Sequence, residues 1–150
     1  MQLSKAQFYA FLPHTGTMCL IDKVMTYDSE KILCHTESHR SPDNPLCRQG
    51  HLSSIHAIEY AAQAIGIHGA LSKNPLEKPL EKPKGGYLVS VRNVQIFQDY
   101  LHTLEKPLTI EAEKSMANDA LWIYTFTVSA DDLIIAQGRA TIMTTQGEQP

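Results

Sequence analysis

Residues 47–71 read CRQGHLSSIHAIEYAAQAIGIHGAL, and the way this stretch folds decides how the rest of the chain is arranged. From Ser54 to about Leu71 it has helical length, an alanine-rich composition and no proline before Pro75, which predicts one long helix. Ile55, Ala57, Ile58, Ala61, Ala62, Ala64, Ile65, Gly66, Ile67 and Ala70 cover nearly every direction around its axis. That pattern marks a helix enclosed by other structure, not one laid on a surface. Yet the same run carries His51, His56, Glu59, Gln63 and His68. A carboxylate on an enclosed helix is costly unless paired and is seldom fully buried, so Glu59 is weighed as a chemical group ahead of a structural one.

Ser4 to Phe11 reads as a short helix capped by Ser4 and stopped at Pro13. Met18–Tyr27 and Lys31–Ser38 alternate roughly between apolar and polar, with turn chemistry at Asp28-Ser29-Glu30 between them, and predict a strand pair. The polar loop SPDNPLCRQG leads into the helix. After it comes LSKNPLEKPLEKPKGG, whose prolines and lysines suggest an exposed, stiff linker. Four β-rich segments follow, GYLVSVRNVQIFQ, PLTIEAEKSMA, LWIYTFTVSA and LIIAQGRATIMTT. Strands joined by tight turns favour an antiparallel sheet, and one helix enclosed by it makes an α+β domain spanning 1–150. A doubly wound fold would need helices between the later strands.

The totals narrow the function. A net charge of −3 over 150 residues lacks the basic footprint of a nucleic-acid binder. Cys19, Cys34 and Cys47 are odd in number and unpaired in spacing. The opening MQLSKAQFYAFLPH has too short an apolar stretch for a secretory signal, and no run approaches a membrane span. A soluble, reduced, cytoplasmic protein is the expectation. Cys47, His51 and His56 match no common zinc spacing, and neither a metal nor a cofactor is expected.

The pattern resembles the hotdog-fold 3-hydroxyacyl-acyl-carrier-protein dehydratases, in which a long antiparallel sheet wraps around a central helix. LPHTGTMCLIDKV is similar to the family's N-terminal signature at Leu12, Pro13, His14, Asp22 and Lys23; Gly50-His51 to its glycine-histidine pair; and Glu59-Tyr60-Ala61-Ala62-Gln63 to the glutamate-x-x-alanine-glutamine of its central helix. The main branch has a longer loop after the histidine, where this chain has only LSSI, so it looks closer to a shorter-looped, dehydratase-like branch that accompanies specialised polyketide or fatty-acid clusters.

The resemblance implies dehydration of a (3R)-3-hydroxyacyl thioester to the trans-2-enoyl thioester, in fatty-acid, polyketide or aryl-polyene-type biosynthesis. It assigns the base to His51 and the acid to Glu59. A neutral imidazole is a competent base near pH 7, and an apolar setting raises a carboxyl's pKa and keeps it partly protonated. Gln63, one helical turn on, is placed to orient the carboxyl. A free backbone amide around Ser54 or Ile55 is expected to polarise the thioester carbonyl. His56 stands where the family has an apolar residue and is read as structural, as are His14 and His68; Asp22 is read as fixing a loop or strand end.

The family pairs two subunits, each site taking its histidine from one chain and its acid from the other, so a homodimer or a heterodimer with a related hotdog subunit is implied. The carrier is acyl carrier protein or CoA. Lys73, Lys78, Lys82, Lys84 and Arg92 are candidate contacts for an acidic carrier protein. Phe97/Tyr100 and Trp122/Tyr124 are expected to fill a core or a dimer seam. Two rivals remain: a hotdog thioesterase, and a non-catalytic hotdog subunit that stabilises an active partner.

Overall fold

The structure, a computed structural model, describes residues 2–10, 12, 15–73, 86–118 and 120–144. In chain order it runs β1 (Leu3–Ser4), α1 (Lys5–Tyr9), β2 (Lys23–Tyr27), β3 (Lys31–Thr36), α2 (Ala57–Lys73), β4 (Gly86–Ile96), β5 (Leu108–Ala117), β6 (Leu121–Ala130) and β7 (Leu133–Thr144). One sheet takes all seven strands in the order β1-β2-β3-β5-β6-β7-β4, and every pairing is antiparallel. The α+β hotdog expectation is met: a long helix held against an antiparallel sheet.

Local chemistry closes the hairpins. The Asp28 carboxylate accepts from the amides of Glu30 and Lys31 at 2.8 and 2.9 Å and turns β2 into β3. Asn118 does the same between β5 and β6, its Oδ1 accepting from the amides of Ala120 and Leu121. Period-two burial then fixes which face meets the helix. On β6, Trp122, Tyr124, Phe126, Val128 and Ala130 are buried while their neighbours are more open. They share one core with Ile32 and Cys34 of β3, Ile110 and Ala112 of β5, and Ala57, Tyr60, Ala61, Ala64, Ile65 and Ile67 of α2. Trp122 and Tyr124 fill this core as expected; Phe97 and Tyr100 do not, being exposed.

Gly69 lets α2 lie close against β6, because a methyl group there would overlap the six-membered ring of Trp122. Replacing Gly69 with Val is expected to destabilise the protein by about 3 kcal/mol through overpacking, read as a lower midpoint in urea with an unchanged slope. A midpoint equal to that of the unmodified chain would show that the ring yields freely.

Several boundaries differ from expectation: β3 stops at Thr36 instead of Ser38, and α2 begins at Ala57, after a 3-10 turn over Ser54–His56. Met18–Tyr27 does not form one strand: Gly16–Met18 makes a 3-10 turn and β2 starts only at Lys23. Apart from the Asp22 amide, which donates to the His35 carbonyl of β3 at 3.1 Å, much of the intervening backbone is met by distant side chains. Gln63 takes the Leu20 amide and the Met18 carbonyl, Tyr9 Oη takes the Ile21 amide, and Thr36 and Ser38 hydroxyls donate to the Leu20 carbonyl. The first helix starts after Ser4, whose amide donates to Gln7 Oε1 at 2.8 Å, and ends at Tyr9. Phe11, Pro13 and His14 lie outside the described residues, as does most of the lysine- and proline-rich linker, with Lys78, Lys82 and Lys84. Among the described residues no helix is long and apolar enough to cross a membrane.

His68 is structural, as read. Its Nε2 donates to the Asp28 carbonyl at 2.7 Å, so the neutral ring accepts from the Tyr124 hydroxyl at Nδ1, 2.5 Å away. Burial, helped by the Lys114 charge, holds its pKa below the usual histidine value. The buried His39, whose Nε2 donates to the Leu104 carbonyl, is lowered likewise by burial. A histidine held neutral in the folded state binds its proton more readily when unfolded. Stability is therefore intact above about pH 6.5 and falls as the pH drops below it toward the lowered folded-state values.

The carboxylates act later. At Asp22 the Glu37 amide and the Lys5 ammonium outweigh burial, and at Asp28 the amides of Glu30 and Lys31 dominate; both pKa values are lowered. Their contribution is lost only below about pH 4. Melting temperature should thus fall between pH 7.5 and 5, with a shallower slope in His68→Gln. A flat profile over that range would contradict this account.

Candidate active site

The turn that presents His51 is built by its own backbone. Arg48 and His51 exchange two hydrogen bonds, Arg48 N to His51 O at 2.7 Å and His51 N to Arg48 O at 2.9 Å. The two residues between them, Gln49 and Gly50, both have positive φ, 51° and 76°, which is the requirement of a two-residue type I′ turn. Glycine suits the second of these positions, since a side chain would be strained there. The glycine before the histidine thus bends the chain, and His51 emerges exposed on the far side.

The segment after it is strapped to residues 99–102. Leu101 N donates to Leu52 O at 2.8 Å, Ser54 N to Asp99 O at 3.0 Å, and Leu52 N to Nδ1 of His102 at 3.0 Å. The rings of His51, Tyr100 and His102 meet one another, with centroids 5.1 to 5.5 Å apart.

Glu59 stands half-buried in the first turn of α2, where the helix dipole favours a negative charge. Its Oε1 accepts from Nε2 of Gln63 at 3.1 Å, the one-turn pairing expected for an orienting glutamine. Gln63 itself is buried and held at four points: besides Glu59 and the Met18 carbonyl at 2.8 Å, its Oε1 accepts from the Leu20 amide at 3.0 Å and from the Tyr9 hydroxyl at 2.5 Å. The amide has one allowed orientation, because exchanging its O and N would set two donors against its Nε2 and two acceptors against its Oε1. Tyr9 Oη in turn accepts from the Ile21 amide at 2.8 Å.

The expected carbonyl-polarising amides need correction. The Ser54 amide is spent on Asp99 O, and that of Ile55 on the Ser53 hydroxyl at 3.3 Å, because the helix opens with a 3-10 turn over Ser54–His56 capped by Ser53. The buried Ser54 hydroxyl has no partner among the described residues, as Nδ1 of the buried His39 has none. The side chain of Ile55 is half-exposed and apolar. His56 is partly buried at the end of that turn. Asp22 fixes a strand end, as read: it accepts from the Glu37 amide at 2.8 Å and pairs with Lys5 at 3.0 Å.

Cys19 and Cys34 are buried free thiols. Burial pushes Cys34 up to about 12 and raises Cys19 as well, which makes both poor nucleophiles and poor metal ligands at neutral pH. Among the described residues no three histidine, cysteine or acidic side chains gather as a metal site would require. Sequence reasoning missed Tyr9, Tyr100 and His102. Tyr9 lies 54 positions from the glutamine it holds, and the other two sit in a connection with no periodicity.

Comparison with solved structures extends the fold assignment. The dehydratase heterocomplex ApeI:P from Xenorhabdus doucetiae matches with a TM-score of 0.81 at 23% identity, covering 95% of this chain and 91% of that one. A thioesterase from Haemophilus influenzae matches with a TM-score of 0.56 at 12% identity over 83% and 77% of the two chains. An acetyl-CoA-bound protein from Streptococcus mutans matches at 0.57 and 13%, over 81% and 86%. No curated protein sequence matches the chain. One family model, that of the ApeP-like dehydratases, spans residues 6–149, and the chain belongs to that family.

Proposed function

We propose that the protein removes water from a (3R)-3-hydroxyacyl thioester carried on acyl carrier protein, giving the trans-2-enoyl thioester in aryl-polyene-type biosynthesis, and does so as one subunit of a hotdog dimer. His51 takes the proton from C2. Glu59 protonates the departing hydroxyl at C3, and water leaves. Gln63 holds the Glu59 carboxyl, and the half-exposed Ile55 at the helix start offers an apolar contact to the acyl chain. The observation that carries this reading is the rigid Glu59–Gln63 pair on a helix of the dehydratase family.

The surface supports a partner of the same fold. β4 is the last strand in the sheet order, and bare edges with apolar neighbours are usually covered. Val89 and Ile96 on β4, with Phe97, Tyr100 and Ile55 beyond it, are all more than 40% exposed. This apolar surface adjoins His51 through the Tyr100 ring, so a subunit docked there would bring its own groups to the histidine. The heterocomplex from Xenorhabdus supports a related chain as the partner.

The engaged amides of Ser54 and Ile55 favour a second reading, a subunit that stabilises an active partner without turning over substrate itself. The test is turnover of 3-hydroxyacyl-carrier substrates by the purified chain, alone and with its co-purifying partner, followed by mass. Loss of 18 Da on the carrier is the expected result; release of free acid would instead identify a thioesterase. Activity of the complex that survives inactivation of both His51 and Glu59 in this chain would establish the stabilising subunit.

A further inference from the structure

We infer that His102 is a positioning residue for His51, a proposal that rests on the role given to His51 above. The Leu52 amide points its hydrogen at His102 Nδ1 from 3.0 Å. An amide only donates, so Nδ1 carries no proton and the neutral ring bears its hydrogen on Nε2. Leu52 is fully buried, and its carbonyl is taken by the Leu101 amide. The residue that follows the histidine is therefore clamped at both its backbone groups by two consecutive residues of one loop.

The same ring also touches His51 directly. The two imidazoles meet edge to face, 5.1 Å apart and 86° between planes, and Tyr100 closes the triangle at 5.2 Å from His102 and 5.5 Å from His51. An exposed side chain on a two-residue turn is free to change rotamer. Here His102 holds the backbone that follows His51 and, with Tyr100, bounds the space open to its ring. No proton or bond changes at His102; its contribution is to hold the geometry in which His51 works.

Two substitutions separate this from a general structural role. Asparagine places Oδ1 close to where Nδ1 lies and can still accept from Leu52, whereas leucine cannot. With the complex that shows dehydration, His102→Leu is expected to lower kcat about 100-fold with KM changed less than about two-fold, as misplacement of a catalytic group by an ångström does. His102→Asn is expected to recover at least about ten-fold of that loss, since it restores the acceptor.

A measurement independent of turnover accompanies these. Hydrogen exchange at the Leu52 amide should quicken, and the His51 ring resonances should shift, in His102→Leu and much less in His102→Asn. Full turnover in His102→Leu, or equal impairment of both variants in a folded protein, would overturn the proposal. If the unmodified protein dehydrates nothing, the proposed function fails, and the NMR comparison still decides the matter: an unchanged Leu52 amide and His51 ring in His102→Leu would overturn the positioning role.

Discussion

In a dimer of this chain alone, where both sites carry the change, His51→Ala and Glu59→Gln are each expected to cut dehydration by about 10²- to 10⁴-fold, the usual contribution of one positioned acid or base, with no comparable loss of stability. The stability half follows from placement. His51 is exposed, and its backbone bonds to Arg48 do not need the imidazole. Glu59→Gln keeps the size of the side chain and an acceptor for Gln63 Nε2, but it can neither supply a proton to the leaving hydroxyl nor regain one. The double variant should be little worse than the poorer single one, because base and acid act on one substrate in one elimination and their losses do not add. Mass analysis of the carrier-bound product after a fixed time checks all three. Substantial loss of water in His51→Ala would remove His51 from the mechanism, and continued release of free acid would point to the thioesterase, in which the helix carboxylate works without that histidine.

The helix was legible from its length, its alanine-rich composition and the absence of proline, and the later strands from their β-rich composition. α2 opens where Ser53 caps its first turn, and β4 to β7 fall within the four β-rich segments. What was not legible was held together by contacts across long sequence separations. Residues 18–21 open a segment that reads as a strand, yet their backbone bonds to Gln63, Tyr9, Thr36 and Ser38 in place of a neighbouring strand. The candidate site divides in the same way. The Glu59–Gln63 pair could be foreseen from a four-residue spacing on a helix. The engagement of the Ser54 amide by Asp99 and of the Leu52 amide by His102 depends on where the β4–β5 connection lies, and no local pattern encodes that.

Gln63→Leu should be the most destabilising single change at the site, and it shows how stability and chemistry are joined there. Leucine is close to glutamine in volume but strands the Leu20 amide, the Met18 carbonyl and the Tyr9 hydroxyl, all formerly bonded to Gln63. Each buried polar group left without a partner costs about 1–3 kcal/mol, so a loss of about 3 kcal/mol or more is expected, measured by urea unfolding. That variant cannot tell an orienting role from a scaffold role, since both would fail together. Gln63→Glu can. Its carboxyl keeps one oxygen for Tyr9 and Leu20, but the other, where Nε2 was, meets the Met18 carbonyl and the Glu59 carboxylate. Two carboxyls at that separation hold a shared proton to higher pH than either would alone. The alkaline limb of the rate profile, set by the group that must stay protonated, should therefore move upward in pH while the fold persists. A Gln63→Glu enzyme with the rate profile of the unmodified protein would mean that Glu59 does not carry the proton that leaves with the hydroxyl.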